Sequence, residues 1–231
     1  MANIEALQNS YDSRKNRGIF GLRLNLWLRW LYFEKVREEY LSRANQLLEN
    51  TEWSVVDLGC NAWDKTDSLL RKFPNRKILW FDIHKTSVQE GHERFAENSR
   101  VEICLWNALE LSEIIQGKVA CVFTSQMMHH FDLEDRIICL DEMYKSLPKW
   151  WILVISDTFM DAKSNIGNLL KKGYMWLAKS DAYHNISPEQ MKEEAEFIWF
   201  KIVERVDSLP AIEKRIGFYP TTIFIFQKPS E

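Results

Sequence analysis

The stretch SVVDLGCNAWD, residues 54–64, decides the fold. Its first five residues, Ser54 to Leu58, are short, apolar and rich in β-branched side chains, as a buried strand is. Gly59 follows at once. A glycine at a strand end lets the backbone approach a ligand closely, and the helix expected after it offers unpaired N–H groups.

Working outward, four further strand-like runs follow: Lys77 to Ile83, Val101 to Leu105, Lys118 to Thr124 and Trp150 to Ser156. Between them lie Lys65 to Phe73, Lys85 to Asn98, Leu109 to Ile115 and Leu133 to Leu147, each with apolar residues three and four apart, the spacing of a surface helix. Strands alternating with helices predict a parallel sheet covered on both faces. A helix around Glu189 to Glu196, a strand near Phe200 to Val206 and a strand at Thr221 to Gln227 complete the chain. No helix fits between the last two strands, so they pair antiparallel at the sheet edge. The expected class is α/β, a doubly wound, mostly parallel seven-stranded sheet with an antiparallel last strand. Asp157 directly follows the fifth run. Trp80, Trp150 and Trp151 fall in or beside strand-like runs and read as core.

Upstream, residues 1–50 read as an N-terminal helical extension, with residues 51–231 as the main domain. Ile19 to Leu48 is Pro-free and rich in Leu, Arg, Glu and Lys, good helix formers. Leu24, Trp27, Leu28 and Leu31 cover one side, while Leu22, Leu26, Trp30, Phe33 and Val36 cover much of the other. A helix apolar on most of its circumference is covered on two sides. A lid over a pocket, a homodimer contact, or a membrane-surface patch aided by Arg23, Arg29 and Arg37 are the uses open to it.

Composition narrows the partners. The 231 residues are 46% apolar and carry 30 Lys and Arg against 33 Asp and Glu, a net charge of −3. One sizeable core is expected. No global basic field exists to hold nucleic acid. Cys60, Cys104, Cys121 and Cys139 form no C-x-x-C pair, and the start lacks a secretory pattern, so free thiols in a cytoplasmic protein are expected. No run of about 18 apolar residues is present to span a membrane.

In an open α/β sheet, ligands collect at the carboxyl ends of the strands. After the first run stand Gly59, Cys60 and Asn61; after the second, Asp82 and Ile83; after the third, Asn107 and Ala108; after the fourth, Ser125, Gln126, Met127, Met128, His129 and His130. A carboxylate placed as Asp82 is can accept both hydroxyls of a ribose. It can equally cap the helix that begins near Lys85. With VVDLGC (55–60), WFDIH (80–84), WNALEL (106–111), VFTSQMMHHF (122–131) and LPKWWILVISD (147–157), the chain resembles a class I S-adenosylmethionine-dependent methyltransferase over roughly Thr51 to Gln227. The last segment is similar to one that usually reads L-x-P-G-G followed by a strand.

The resemblance implies a Rossmann-like fold and S-adenosyl-L-methionine as cofactor. Asp57, Gly59, Cys60 and Asn61 would line its methionine and ribose part, and Asp82 its ribose hydroxyls. Ile83 would lie against the adenine, with Asn107 and Ala108 at its edge. Thr124, Ser125 and Gln126 would run under the methionine moiety. Where the family reads G-x-G-x-G, this chain reads Gly59-Cys60-Asn61-Ala62-Trp63. Asn tolerates left-handed backbone, whereas the Trp63 indole must lie away from the ligand or occupy space beside it.

The chemistry expected is methyl transfer to an O or N atom of a small, apolar or aromatic molecule. His129 or His130 would be the general base. The two are adjacent, so in extended chain they face opposite ways. No ligand set for a shared metal is completed around them. Trp27, Trp30, Asp157, Trp176, Tyr183 and His184 are the candidate substrate contacts; Asp157 and His184 are also candidate bases. A methyltransferase-like protein that binds without transferring is the alternative, motivated by Trp63. An RNA-modifying methyltransferase is a third reading, disfavoured by the negative net charge.

Overall fold

The computed structural model describes residues 38–48, 52–59, 63–115, 119–160, 165, 169, 184, 186–207 and 218–230. Seven strands form one sheet in the order β3-β2-β1-β4-β5-β7-β6. They are β1 (Ser54–Leu58), β2 (Ile78–Asp82), β3 (Val101–Leu105), β4 (Val119–Ser125), β5 (Ile152–Met160), β6 (Lys201–Asp207) and β7 (Phe218–Gln227). The pairs among β1 to β5 are parallel; β7 lies antiparallel to both β5 and β6. The fold expected from the sequence is thus observed, with β7 inserted between β5 and the edge strand β6.

The described helices are α1 (38–47), α2 (Trp63–Lys72), α3 (Lys85–Phe95), α4 (Leu111–Ile114), α5 (Leu133–Ser146) and α6 (Pro188–Phe197). Their ends carry the expected chemistry. The Asp132 side chain accepts from the Asp135 amide at the start of α5, and Ser187 accepts from the Gln190 amide at the start of α6, with Pro188 next. Arg100 donates to the carbonyls of Phe73 (3.2 Å) and Pro74 (2.8 Å) just past the end of α2.

Alternate residues of each strand enter two cores. Val56, Leu58, Phe81, Val122, Leu153, Phe224 and Phe226 face one cluster with Met128, Leu140 and Met143. Val55, Ile78, Trp80, Ile103, Phe123, Val154 and Ile225 face the other, with Leu69, Phe73 and Phe95. Tyr40, Leu41, Ala44 and Leu48 of the α1 segment join this second cluster. Arg76 ties that segment down by donating to the carbonyls of Leu48 (2.5 Å) and Trp53 (3.0 Å). The upstream part of the expected helix, with Trp27 and Trp30, lies outside the described residues.

Two readings of the sequence are corrected. Trp80 is fully buried, and Trp151 is half-buried against Trp53, with ring centroids 4.9 Å apart. Trp150, however, is 60% exposed, not core. It precedes β5 in a tight turn with φ +73°, which carries its side chain off the strand's alternation. The fifth strand also runs four residues past Ser156, so Asp157 lies within it.

Gly91 of α3 touches the Trp80 ring so closely that an added Cβ would come within 1.8 Å of it. Gly91→Ala gains about 1 kcal/mol of helix propensity but overpacks the core by about 1–3 kcal/mol or more. We expect a net loss, read as a lower urea midpoint at unchanged m-value, with Trp80→Phe in the same chain recovering part of it.

Candidate functional site

Register brings the strand ends into one row. Leu58 pairs with Phe81 and Thr124, Asp82 with Leu105, and Ser125 with Ser156. The chain winds β1-β2-β3 in one direction and β4-β5 in the other, so the order reverses between β1 and β4. Connections diverge at that point and leave a crevice at the carboxyl ends.

Gly59 turns the chain out of β1 with φ +68°, a backbone that side chains other than Gly rarely adopt. Its amide donates to the Phe81 carbonyl (2.8 Å). A Cβ there would fall 2.4 Å from Met127 Sδ, so the turn is packed directly beneath the β4 connection. Asp57 is wholly buried, and its Oδ2 accepts from Thr66 Oγ1 (2.9 Å), tying the strand end to the start of α2. Lys65, one residue earlier, donates across to the Ser125 carbonyl (2.9 Å).

Asp82 is nearly buried at the end of β2, and its Oδ1 accepts from the His84 amide (2.9 Å). The neighbouring Trp106 amide donates to the Asp82 carbonyl (2.9 Å). Ile83 and Asn107 are half-buried and Ala108 is buried. The Asn107 carboxamide oxygen accepts from the Leu109 amide (3.1 Å), closing the short 3₁₀ turn Ala108–Glu110.

The β4 connection carries most of the polar groups. Thr124 and Ser125 are buried; Gln126 is half-buried at φ +57°. The Gln126 amide donates to the Ser156 carbonyl (2.8 Å), and its side-chain oxygen accepts from Thr158 Oγ1 (3.0 Å). His129 and His130 do not lie in extended chain. They form a 3₁₀ turn, Met128–His130, whose tight winding stacks the two rings with centroids 4.1 Å apart and planes tilted by 52°. His129 is buried, and His130 is half-buried.

Asp157 lies wholly buried under His129. Its Oδ1 is 2.5 Å from His129 Nδ1 and accepts from the Thr158 amide at 2.7 Å; its Oδ2 accepts from the His129 amide at 3.3 Å. Burial alone would raise the Asp157 carboxyl. The facing His129 imidazole and the Thr158 amide outweigh it and hold the group below the ordinary carboxylate range. The wholly buried carboxylate is thus turned to the imidazole and to two backbone amides. The β5–β7 register shifts between Asp157 and Phe159, a bulge beside the site. His184 is exposed and donates its amide to the His129 carbonyl (2.9 Å).

Cys60, Asn61, Trp176, Tyr183 and the Trp63 side chain lie outside the described residues. Lys65, Thr66 and Thr158 were not foreseen as parts of the site. The signal for the first two was their place in the opening turn of α2; Thr158 gave none. Among the described residues no group of three or more His, Cys, Asp or Glu could hold a metal ion, and no helix is long and apolar enough to cross a membrane.

Residues 55–149 match the model of a family described as a methyltransferase domain. The carboxy-S-adenosyl-L-methionine synthase of Pectobacterium atrosepticum is 25% identical over 159 residues, 67% of this chain and 60% of that protein. The chain therefore spans less than two thirds of the length of the curated relatives it matches. A geranyl diphosphate methyltransferase solved with SAM superposes with a TM-score of 0.68 at 15% identity, covering 92% of each chain. The geranyl diphosphate C-methyltransferase of Streptomyces coelicolor A3(2), solved with Mg2+, geranyl diphosphate and S-adenosyl-L-homocysteine, does so with 0.65 at 13% identity, covering 84% of this chain and 80% of that one.

The Asp157 carboxyl is depressed in the folded chain, so its contribution to stability is fully present above the unfolded value near about pH 4 and is lost as pH falls through the lower folded value. Asp157→Asn is expected to cost about 3 kcal/mol at neutral pH. Urea unfolding of both chains as a function of pH should show that gap shrinking as pH falls below about 4.

Proposed function

We propose that this chain, whose residues 55–149 match a methyltransferase domain and whose fold is that of a solved methyltransferase, is an S-adenosylmethionine-dependent enzyme that transfers a methyl group to an O or N atom of a small molecule, with His129 as general base. The observation that carries the reading is the buried Asp157–His129 pair, standing on the same row of strand ends as the Gly59 turn and Asp82.

The residues present fit an adenosyl ligand. The left-handed Gly59 turn brings the end of β1 close beneath the β4 connection, and the Asp82 carboxylate stands at the end of the adjacent strand, where it would accept from ribose hydroxyls. Ile83, Asn107 and Ala108 follow on the adenine side, and Thr124, Ser125 and Gln126 on the methionine side. Asp57 acts through Thr66, holding the turn in place. When bound, S-adenosylmethionine supplies a methyl group already activated by positive charge on sulfur.

The protein's own work is then orientation and proton removal. Asp157 accepts from His129 Nδ1, which puts the imidazole lone pair on Nε2 and fixes the plane of the ring. Nε2 can take the proton of a hydroxyl or amine as that group attacks. The buried carboxylate stabilises the imidazolium so formed, without taking the proton itself. His130, stacked on His129 and half-buried, is placed to contact the acceptor. The described wall of the β4–β5 edge is polar, with Gln126, His130 and Thr158, and this favours an acceptor carrying polar groups over a wholly apolar one.

Calorimetry with S-adenosylmethionine and S-adenosylhomocysteine tests the first half. Binding of either is expected, with Asp82→Ala weakening it by roughly tenfold or more through loss of charge-assisted hydrogen bonds; no binding of either would overturn the reading. On a panel of hydroxyl and amine acceptors, His129→Gln should lower kcat by about 10²–10⁴. Binding without any turnover would favour the alternative of a binding protein in this fold.

A further inference from the structure

At the opposite end of the sheet two tryptophans occupy positions where the backbone calls for glycine. Trp199 follows α6. Its own amide donates to the Glu196 carbonyl (3.0 Å), and the next amide, Phe200, reaches back to Ala195 (3.1 Å). With φ +75° at Trp199 this is a Schellman ending, in which the left-handed residue is usually Gly. Trp150 is the third residue of the turn Pro148–Trp151, closed by the Trp151 amide to the Pro148 carbonyl (3.4 Å), with φ +73°. A turn with left-handed backbone at that position also prefers Gly.

Neither indole repays that strain by packing. Trp199 is 75% exposed and Trp150 60%, and Phe197 beside them is 73% exposed. The two turns are neighbours. Trp150 pairs with Lys228, Gln227 pairs with Lys201, and only β7 lies between, so their backbones stand about two strand spacings, roughly 10 Å, apart. Left-handed strain and exposed aromatic surface at both turns find no return among the described residues, which points to an occupant outside them.

Charge identifies the occupant. Lys149 and Lys201 are exposed on the same corner, while the half-buried Lys228 turns its ammonium inward onto the Tyr144 and Leu147 carbonyls (2.7 Å each). Of the exposed acids near the end of α6, Glu193 and Glu196, the second is paired with Lys192 (3.3 Å). Exposed indoles at two neighbouring turns, flanked by Lys149 and Lys201, match a headgroup layer, where the rings sit at the interface and the ammonium groups meet anionic lipid. We propose that the Trp150–Trp199 corner docks this protein on an anionic membrane surface. The ligand edge, at the other end of the strands, then faces away from the bilayer, so the lipid is a place of attachment and not the substrate.

The test uses the full chain with phosphatidylcholine vesicles, plain and doped with phosphatidylglycerol, read by co-sedimentation and by the shift of tryptophan emission. Binding is expected to the doped vesicles, weakening with salt. The Trp150→Gly, Trp199→Gly double variant should lose roughly tenfold or more in binding while unfolding at the same or a higher temperature than the parent. Lys149→Glu with Lys201→Glu should also weaken binding and leave the fold intact. No binding to doped vesicles, or a glycine variant less stable than the parent, overturns the proposal. So does self-association in sedimentation velocity that the glycine variant abolishes, which would make a second copy the occupant.

Discussion

The site depends on one backbone constraint, the left-handed turn at Gly59. β1 lies at the centre of the sheet, and the chain must leave it sharply enough to begin α2 while its amide still bonds to Phe81. Met127 closes the space from the other side of the reversal point, so no side chain fits at residue 59. The two connections that would face a ligand, after β1 and after β4, are thereby packed against each other. Lys65 reaching to the Ser125 carbonyl and Thr66 reaching to Asp57 repeat that coupling with hydrogen bonds. What holds the crevice in shape is a set of contacts between its own walls.

The second half of the site rests on a buried ionisable pair. Asp157 and His129 sit in a low-dielectric position where either alone would be costly, and each makes the other tolerable. The carboxylate takes the His129 ring and amide and the Thr158 amide. That engagement turns the buried carboxylate toward the imidazole and gives the ring a defined orientation. The bulge between Asp157 and Phe159 lies where β5 leaves regular pairing with β7.

The sheet was legible because its strands are short apolar runs. Ser54–Leu58 and Val101–Leu105 are found with the bounds read from their composition, and the others lie within a few residues. The errors share a cause. The fifth run reads as ending at Ser156 with Asp157 directly after it, yet the strand continues through Asp157 and Thr158, whose partners His129 and Gln126 lie some thirty residues away and carry no local signal. The histidine pair was expected in extended chain because nothing nearby in sequence reveals a 3₁₀ turn. Trp150 read as core because apolar residues lead into a strand there, and composition does not disclose that its backbone is left-handed.

Left-handed residues other than glycine number three among the described positions: Gln126, Trp150 and Trp199. Each costs conformational energy that a glycine would avoid, so each needs a reason outside local propensity. Gln126 has one in sight, since its side chain accepts from Thr158 on the neighbouring strand. The indoles of the two tryptophans meet none among the described residues, being exposed at the far end. Glycine occupies this backbone where the chain needs only to turn, at Gly59. Where a side chain stands in its place, what that side chain meets must be worth the strain. For Gln126 that is the neighbouring strand, and for Trp150 and Trp199 it lies beyond the described residues.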